Sequence, residues 1–316
     1  MTSNLHGKVR FAQCCGRNVL RGVIGMAAMI PVAAMAQPAP PSTAPAAAQA
    51  PAGSVGGMGD VNLYPKRVVL TERDRTATVG LYNRAPASGD YDIRIADMAM
   101  TPDGQIADLA SLGDAALAAR VKPASGLLRW SPHRVTLPPN EAQLVRIMVR
   151  LPQGLPPGEY RSHFSATSVP PPSDDVAVEG AEQVAAGGVG VRIVPRFGIS
   201  IPVIVRVGQT TLTSGLKDFE LLRTNGAPVL RLTILRSGTR SSFGDITITA
   251  PGVKKPLAKI KGIGVYPEID QRTVQVPLDP QALPASYARG TRLTITYVDD
   301  DLEPGKVLAA GAYVVP

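Results

Sequence analysis

Residues able to do covalent or metal chemistry are few in this chain and poorly placed for it. There are two cysteines, adjacent at Cys14 and Cys15, and three histidines, His6, His133 and His163. A Cys/His zinc centre needs about four such ligands at fixed spacing, and none can be assembled. His133 follows Pro132 at a strand entry, and His163 falls in a strand-like segment after Glu159-Tyr160. Each reads as a strand-surface or boundary residue. A serine nucleophile has no Gly-x-Ser-x-Gly elbow to sit on. The sequence also lacks a Gly-x-x-x-x-Gly-Lys-Ser/Thr phosphate loop and a His-Glu-x-x-His metal motif. Gly187-Gly188 and Gly190 do not open a predicted helix, so they are not a dinucleotide turn. The expectation is a protein that is not an enzyme, with no catalytic residue, no cofactor and no metal.

The N-terminus reads as an export signal over residues 1–36. Lys8, Arg10, Arg17 and Arg21 form a basic stretch, and an apolar run from Gly22 to Ala36 follows and ends Ala34-Met35-Ala36. Small residues at that spacing are what a signal peptidase accepts, so cleavage is expected between Ala36 and Gln37. The run is shorter than the ~20 residues of a membrane span, so no stable membrane insertion is expected after cleavage. Cys14 and Cys15 would leave with the signal, and the mature chain would hold itself together without disulfides. Taking those four cations from a formal charge of +8 leaves +4. No dense Lys/Arg block with interleaved aromatics remains, which excludes nucleic acid as a partner. Residues 37–57, rich in Pro, Ala and Gly, read as a disordered leader with too little apolar surface to order itself.

From residue 58 the pattern has period two. Ala77, Val79 and Leu81 alternate with Thr76, Thr78 and Gly80; Tyr91, Ile93 and Ile95 with Asp92 and Arg94; Val145, Ile147 and Val149 with Arg146 and Met148. Successive strand side chains point to opposite faces, so each segment has one apolar and one wet face, as in antiparallel sheets covered on one side. Turn signals separate them at Pro86-Ala87-Ser88-Gly89, Pro102-Asp103-Gly104, Pro138-Pro139-Asn140 and Pro156-Pro157-Gly158. The segment 107–120 interrupts the pattern, with Leu109, Leu112 and Ala116 at helical spacing. Residues 189–207 form a long β-type run in which Pro195 and Pro202 cannot donate to a ladder, which places it partly at a sheet edge. A second strand-rich unit follows Gly208, with a hairpin signal at Thr224-Asn225-Gly226. The sequence predicts an all-β chain of two immunoglobulin-like sandwich domains, 58–207 and 208–316, each with room for about seven strands.

An ordered series of segments carries a family resemblance. It runs Tyr64-Pro65-Lys66-Arg67-Val68-Val69-Leu70, Ala77 to Asn83, Leu137-Pro138-Pro139-Asn140, Val145-Arg146-Ile147, Leu155-Pro156, Glu159-Tyr160-Arg161 and Val169-Pro170-Pro171, with a looser match from Ser237 to Asp245. In these the chain resembles the PapD-like periplasmic pilus-assembly chaperones. The family's Arg-Glu-Ser-hydrophobic-Trp type segment is here Gly158 to Phe164, and the Ala/Pro leader and the 107–120 insert are additions.

The resemblance implies two sandwiches set at an angle with a cleft between them. It also implies a periplasmic chaperone for pilus (fimbrial) subunits, delivering them to an outer-membrane usher. Such a subunit lacks its last strand, and an incomplete sheet exposes unpaired backbone and an open groove. An edge strand lent by the chaperone pairs that backbone while alternating apolar side chains fill the groove. Val189, Val191 and Ile193 have the spacing for that donor role, or equally for facing the chaperone's own core. The resemblance further implies that two basic residues anchor the subunit's C-terminal carboxylate: Arg67, and Arg196 with Arg192 as the alternative register. A guanidinium fork suits a carboxylate. Arg146 and Glu159 match positions that bridge to an acid of the second domain, which Asp299, Asp300 or Asp301 would supply. A free donor edge also invites self-association. The competing reading is a structural or adhesive sandwich protein of a surface fibre or layer, which would lack the paired cleft arginines.

Overall fold

The computed structural model describes residues 55–56, 61–170, 196–282 and 284–316, and strands dominate them. The first sandwich begins with β1 (Val55–Gly56), β2 (Val61–Tyr64), β3 (Val68–Thr71), β4 (Thr76–Asn83) and β5 (Gly89–Ala96). A short hairpin of β6 (Met98–Met100) and β7 (Ile106–Asp108) and a helix α1 (Ala115–Arg120) precede β8 (Leu128–Ser131) and β9 (Arg134–Leu137). The unit closes with β10 (Ala142–Val149), β11 (Gly158–Val169) and β12 (Gly198–Val207). One sheet has the order β1-β2-β4-β10-β8 and the other β3-β12-β11-β5-β9. The chain thus crosses between the two sheets repeatedly, for example from β2 to β3, β3 to β4 and β4 to β5.

The alternating residues behave as their period demands. Val79, Leu81, Ile93, Val145 and Ile147 are buried in a common core with Leu63, Leu70, Leu128, Leu137, Phe164 and Val203. On the opposite face of β10, Leu144, Arg146 and Met148 are exposed. Asn83 ends β4 as a buried corner. Its Nδ2 donates to the carbonyls of Ala87, Leu137 and Pro138, at 2.9, 3.0 and 3.1 Å, while its Oδ1 accepts from the Ala85 amide at 2.9 Å. Every polar atom of the side chain is satisfied, which is what burial of an amide requires.

The second sandwich comprises β13 (Leu212–Thr224), β14 (Ala227–Gly238), β15 (Ser242–Thr249), β16 (Ala258–Val265), β17 (Gln271–Pro277), β18 (Arg292–Asp299) and β19 (Val307–Val314). Its sheets are β13-β14-β17 and β16-β15-β18-β19. Leu230, Leu232, Ile246, Ile248, Val276, Leu293, Ile295 and Tyr297 fill the space between them. The β13–β14 turn is the expected two-residue one: Asn225 and Gly226 carry φ of 50° and 82°. Two consecutive left-handed residues match the twist of the flanking strands.

One local expectation needs correction. The insert is not a single helix over 107–120. Residues 106–108 are a strand, 109–111 a single 3-10 turn, and only Ala115–Arg120 is α-helical, capped by the Asp114 carboxylate on the Leu117 amide at 2.9 Å. Gly113 falls in the break between them. In the described part of the run 189–207 the expected partial edge is present. β12 pairs with β11 along its length, but with β3 only from Val203 to Arg206, in parallel. Residues 198–202 have a strand partner on the β11 side alone among the described residues. Pro202, which has no N–H, sits where the second partner begins.

Candidate functional site

The two sandwiches meet along a seam of buried charge that starts on β12. Arg206 pairs in register with Glu159 of β11, and its Nε donates to Glu159 Oε2 at 3.1 Å. Its other guanidinium nitrogens reach Asp301 of the second sandwich, one at 3.4 Å and the other closer. The Glu159 side chain is 0% exposed and Asp301 is 4% exposed. Ser241, also from the second sandwich, donates its hydroxyl to Glu159. Burial works against the Arg206 charge, but Glu159 and Asp301 outweigh it and raise its pKa above the usual guanidinium value. Such a group breaks badly if one member is removed, because it leaves a buried charge unpaired.

Arg67, just before β3, extends the seam. Its Nη2 donates to the Asp300 carboxylate at 2.8 Å and to the Asp300 carbonyl, its Nε lies 3.5 Å from Asp301, and its Cζ sits 4.5 Å above the Phe243 ring. Lys66 donates to the other Asp300 oxygen. Burial opposes the charge of Asp300, but the bonds from Lys66 and Arg67 prevail and hold its pKa below the ordinary carboxylate value. Arg240 lies 3.7 Å from both Asp299 and Asp301.

A second buried pair locks the same boundary. Arg161 of β11 binds Glu268 through two bonds of 3.0 and 2.6 Å, and its Cζ is 3.7 Å over the Tyr266 ring. The β6–β7 hairpin joins it: the Met100 amide donates to Glu268 at 2.8 Å, and Met100 itself lies in the core of the second sandwich. Arg120, at the end of α1, reaches Asp270 at 2.6 Å on the surface. His163 is buried here against Tyr266, correcting its reading as a surface residue. Desolvation, with Arg161 nearby, lowers its pKa to about 3, so it is neutral. Burial likewise pushes the Tyr266 phenol up to about 12.

Beside the seam a cavity of about 330 Å³ opens between the sandwiches. Lys66, Arg67, Lys261 and Arg272 line it together with apolar and aromatic side chains that include Pro202, Phe243 and Tyr266, and no lining residue is acidic. Arg67 precedes Val68, which is level with Val203, so the open stretch of β12 ends at this cavity.

The structure brings together some of the expected residues and separates others. Arg67, Glu159, Asp299, Asp300 and Asp301 all belong to one ionic cluster. Arg146 does not: it is exposed on β10, level with Thr78 and Ser131, with no ion pair among the described residues. Arg206 holds the place expected of it, because β11–β12 register sets Arg206 opposite Glu159. Arg196 is not beside Arg67 either. It precedes Pro202 by six positions, about 20 Å at ~3.3 Å per strand residue, and instead lies 3.6 Å from Asp92 with its side chain 49% exposed. The alternative Arg192, the donor candidates Val189, Val191 and Ile193, and the cleavage pair Ala36 and Gln37 fall outside the described residues. Arg206, Arg161, Glu268 and Arg272 were not anticipated. For Arg206 a signal existed, since it is the one charge inside the apolar run 199–207.

No protein-family model matches the chain, and no curated protein matches it. Among solved structures it is similar to the SafB chaperone in complex with the SafA pilin of Salmonella enterica, at 14% identity over 82% of this chain and 98% of that one, with a TM-score of 0.39. Similar chains include the CupB2 chaperone of Pseudomonas aeruginosa (12% identity, 80% of this chain, 100% of that chain, TM-score 0.39) and the DraB chaperone of E. coli (14%, 80%, 96%, 0.38).

Proposed function

We propose that this chain is a periplasmic chaperone that holds pilus (fimbrial) subunits by lending them a strand and binding their C-terminal carboxylate, before delivery to an outer-membrane usher. The observation that carries the proposal is the half-open β12. Among the described residues, 198–202 have no strand partner on one side, and they run directly to the cationic cavity at Arg67 and Pro202. An extended peptide chain can add to such an edge through main-chain hydrogen bonds, and its terminal carboxylate would then arrive among cations.

Parity supports the donor role of the preceding segment. Ile199, Ile201 and Val203 turn into the first sandwich's own core, whereas Phe197, on the same parity, is 44% exposed. Inward burial thus stops at Ile199 among the described residues, and Val189, Val191 and Ile193, on the same parity in sequence, lie beyond that point. In this reading they are the side chains lent to the subunit's groove. Arg67 serves as one carboxylate anchor from its seat at the cavity wall. The export signal over residues 1–36, with cleavage between Ala36 and Gln37, supplies the compartment.

The test is to co-express the full chain with incomplete immunoglobulin-like subunits encoded alongside it and to co-purify from the periplasm. Wild type is expected to hold a subunit. Val191→Asp or Ile193→Asp places a carboxylate where an apolar groove should close, and an unpaired buried charge is costly, so capture is lost with the circular dichroism spectrum unchanged. If either variant unfolds instead, that residue faces the chaperone's own core and does not donate.

A further inference from the structure

The charges between the sandwiches balance along the seam and not in the cavity beside it. Lys66, Arg67, Arg206 and Arg240 face Glu159, Asp299, Asp300 and Asp301. Lys261 and Arg272, both on the second sandwich, stand outside that set and form no ion pair among the described residues, yet both line the cavity. Arg272 is half-buried and spends only Nη1, which donates to the Gly264 carbonyl at 2.6 Å. Its Nε is buried without an acceptor, and Nη2 has no acceptor among the described residues. Asp103, the acid whose field reaches Arg272, is already engaged by Thr101 and, at 2.9 Å, by Gln105.

The β6–β7 turn packs closely against this guanidinium. Gly104 carries a φ of +87°, and a Cβ there would fall 2.1 Å from Arg272 Nε. Glycine suits this left-handed backbone, and a larger residue there would push the Arg272 guanidinium aside. Half-burial and the bond to the Gly264 carbonyl restrict the Arg272 fork, so less side-chain freedom is left to lose on binding an anion.

We infer that Arg272, assisted by Lys261, is the second cation of the carboxylate site, so that a bound chain terminus bridges the two sandwiches between Arg67 on one wall and Arg272 on the other. This rests on the chaperone reading with Arg67 as first anchor. β12 cannot supply the second charge at that level, since the residue beside Arg67 is Pro202 and Arg196 lies far along the strand. A site split across the boundary ties cargo affinity to the spacing of the sandwiches, so loosening the seam weakens capture without touching the ligand.

The experiment is a chemical-shift titration of the mature chain with N-acetylphenylalanine and, separately, its amide. The apolar and aromatic lining suits the side chain, and the pair differs only in the terminal charge. Wild type is expected to bind the acid saturably and the amide much more weakly. Arg272→Gln should weaken acid binding roughly tenfold to a hundredfold, as loss of a charge-assisted hydrogen bond does. Arg272→Lys should restore part of it, and Arg196→Gln should leave it unchanged. Lys261→Gln, at an exposed site that does not bear on folding, should weaken the acid by a smaller factor and leave the amide unchanged. If Arg67→Gln abolishes acid binding while Arg272→Gln and Lys261→Gln bind like wild type, the inference falls and the anchor reading of Arg67 stands. If only the second-sandwich variants matter, Arg67 loses its role and the site moves to Arg272. If wild type binds acid and amide alike, or neither, the cavity is not a carboxylate site and the inference is overturned, while subunit capture through β12 is still read by co-purification.

Discussion

Arg206→Ala is the most informative single change to the seam. The substitution removes the bond to Glu159 Oε2 at 3.1 Å and both contacts to Asp301. Asp301 keeps Arg67 at 3.5 Å and Arg240 at 3.7 Å, but Glu159 keeps only the Ser241 hydroxyl. A carboxylate with a fully buried side chain is thereby left without a cation. Breaking a buried pair in this way costs about 3–5 kcal/mol. For a unit of 150–250 residues each kcal/mol moves the melting temperature by roughly 2–4 °C, so a fall of roughly 6–20 °C is expected. Removing both charges tells a different story. Arg206→Met with Glu159→Gln replaces the pair by neutral side chains of similar volume, and such replacements are often near neutral. Thermal melts of the two single variants and the double variant give the coupling energy directly. Arg146→Ala, on the exposed face of β10, should change stability by less than about 0.5 kcal/mol. A melt for Arg206→Ala within 2 °C of wild type, or strictly additive effects in the cycle, would refute the claim that this cluster holds the sandwiches together.

Other outcomes follow from the same geometry. Arg67→Ala should lower subunit affinity by roughly 30-fold or more, the cost of about 2 kcal/mol or above for truncating one partner of a desolvated charge pair. It should also lower the melting temperature, because Arg67 binds Asp300, and Arg196→Ala should do neither; binding titrations beside thermal melts of each free variant read both effects. The stability of the free protein should fall by about 2 kcal/mol between pH 7 and pH 5. His163 is neutral in the fold with a pKa lowered to about 3, so below 6.5 the unfolded chain binds a proton that the native one refuses, and stability is lost as pH falls through that window. Urea titrations at the two pH values should show the slope in wild type and not in His163→Gln; a flat wild type would mean that His163 is not held neutral.

Much of the fold was legible because period two is a local signal. Val79, Leu81, Ile93, Val145 and Ile147 point inward wherever their strands end up pairing, and Asn225-Gly226 dictates its own turn. The site was less legible because it depends on register and on contacts between residues far apart in sequence. Arg206 faces Glu159 only once β11 and β12 are aligned, and Asp301 joins them from 95 positions along the chain. Resemblance pointed to Arg146 for that role, yet the lone charge in the apolar run 199–207 was the physical clue, since a buried arginine must find a carboxylate. Arg196 was placed by parity along a strand assumed continuous to the cavity, and parity fixes a face, not a distance. The helical spacing at 107–120 extended past the break at Gly113, where the chain needed a strand, a turn and only a short helix to seat Met100 and Arg120 on the second sandwich. Arg272 had no local signal at all, because its surroundings come from Gly104 and Gly264 on different elements.

Strand addition at β12 is the core of this account, and amide hydrogen exchange across that strand tests it directly. In the free protein the amides of residues 198–201, with a strand on one side only among the described residues, should include fast-exchanging positions, while residues 203–206, flanked by β3 and β11, should be protected. On binding a subunit, residues 198–201 should become protected together with the segment that precedes them, and residues 203–206 should change little. A tight complex that leaves 198–201 exchanging as in the free protein would contradict the account.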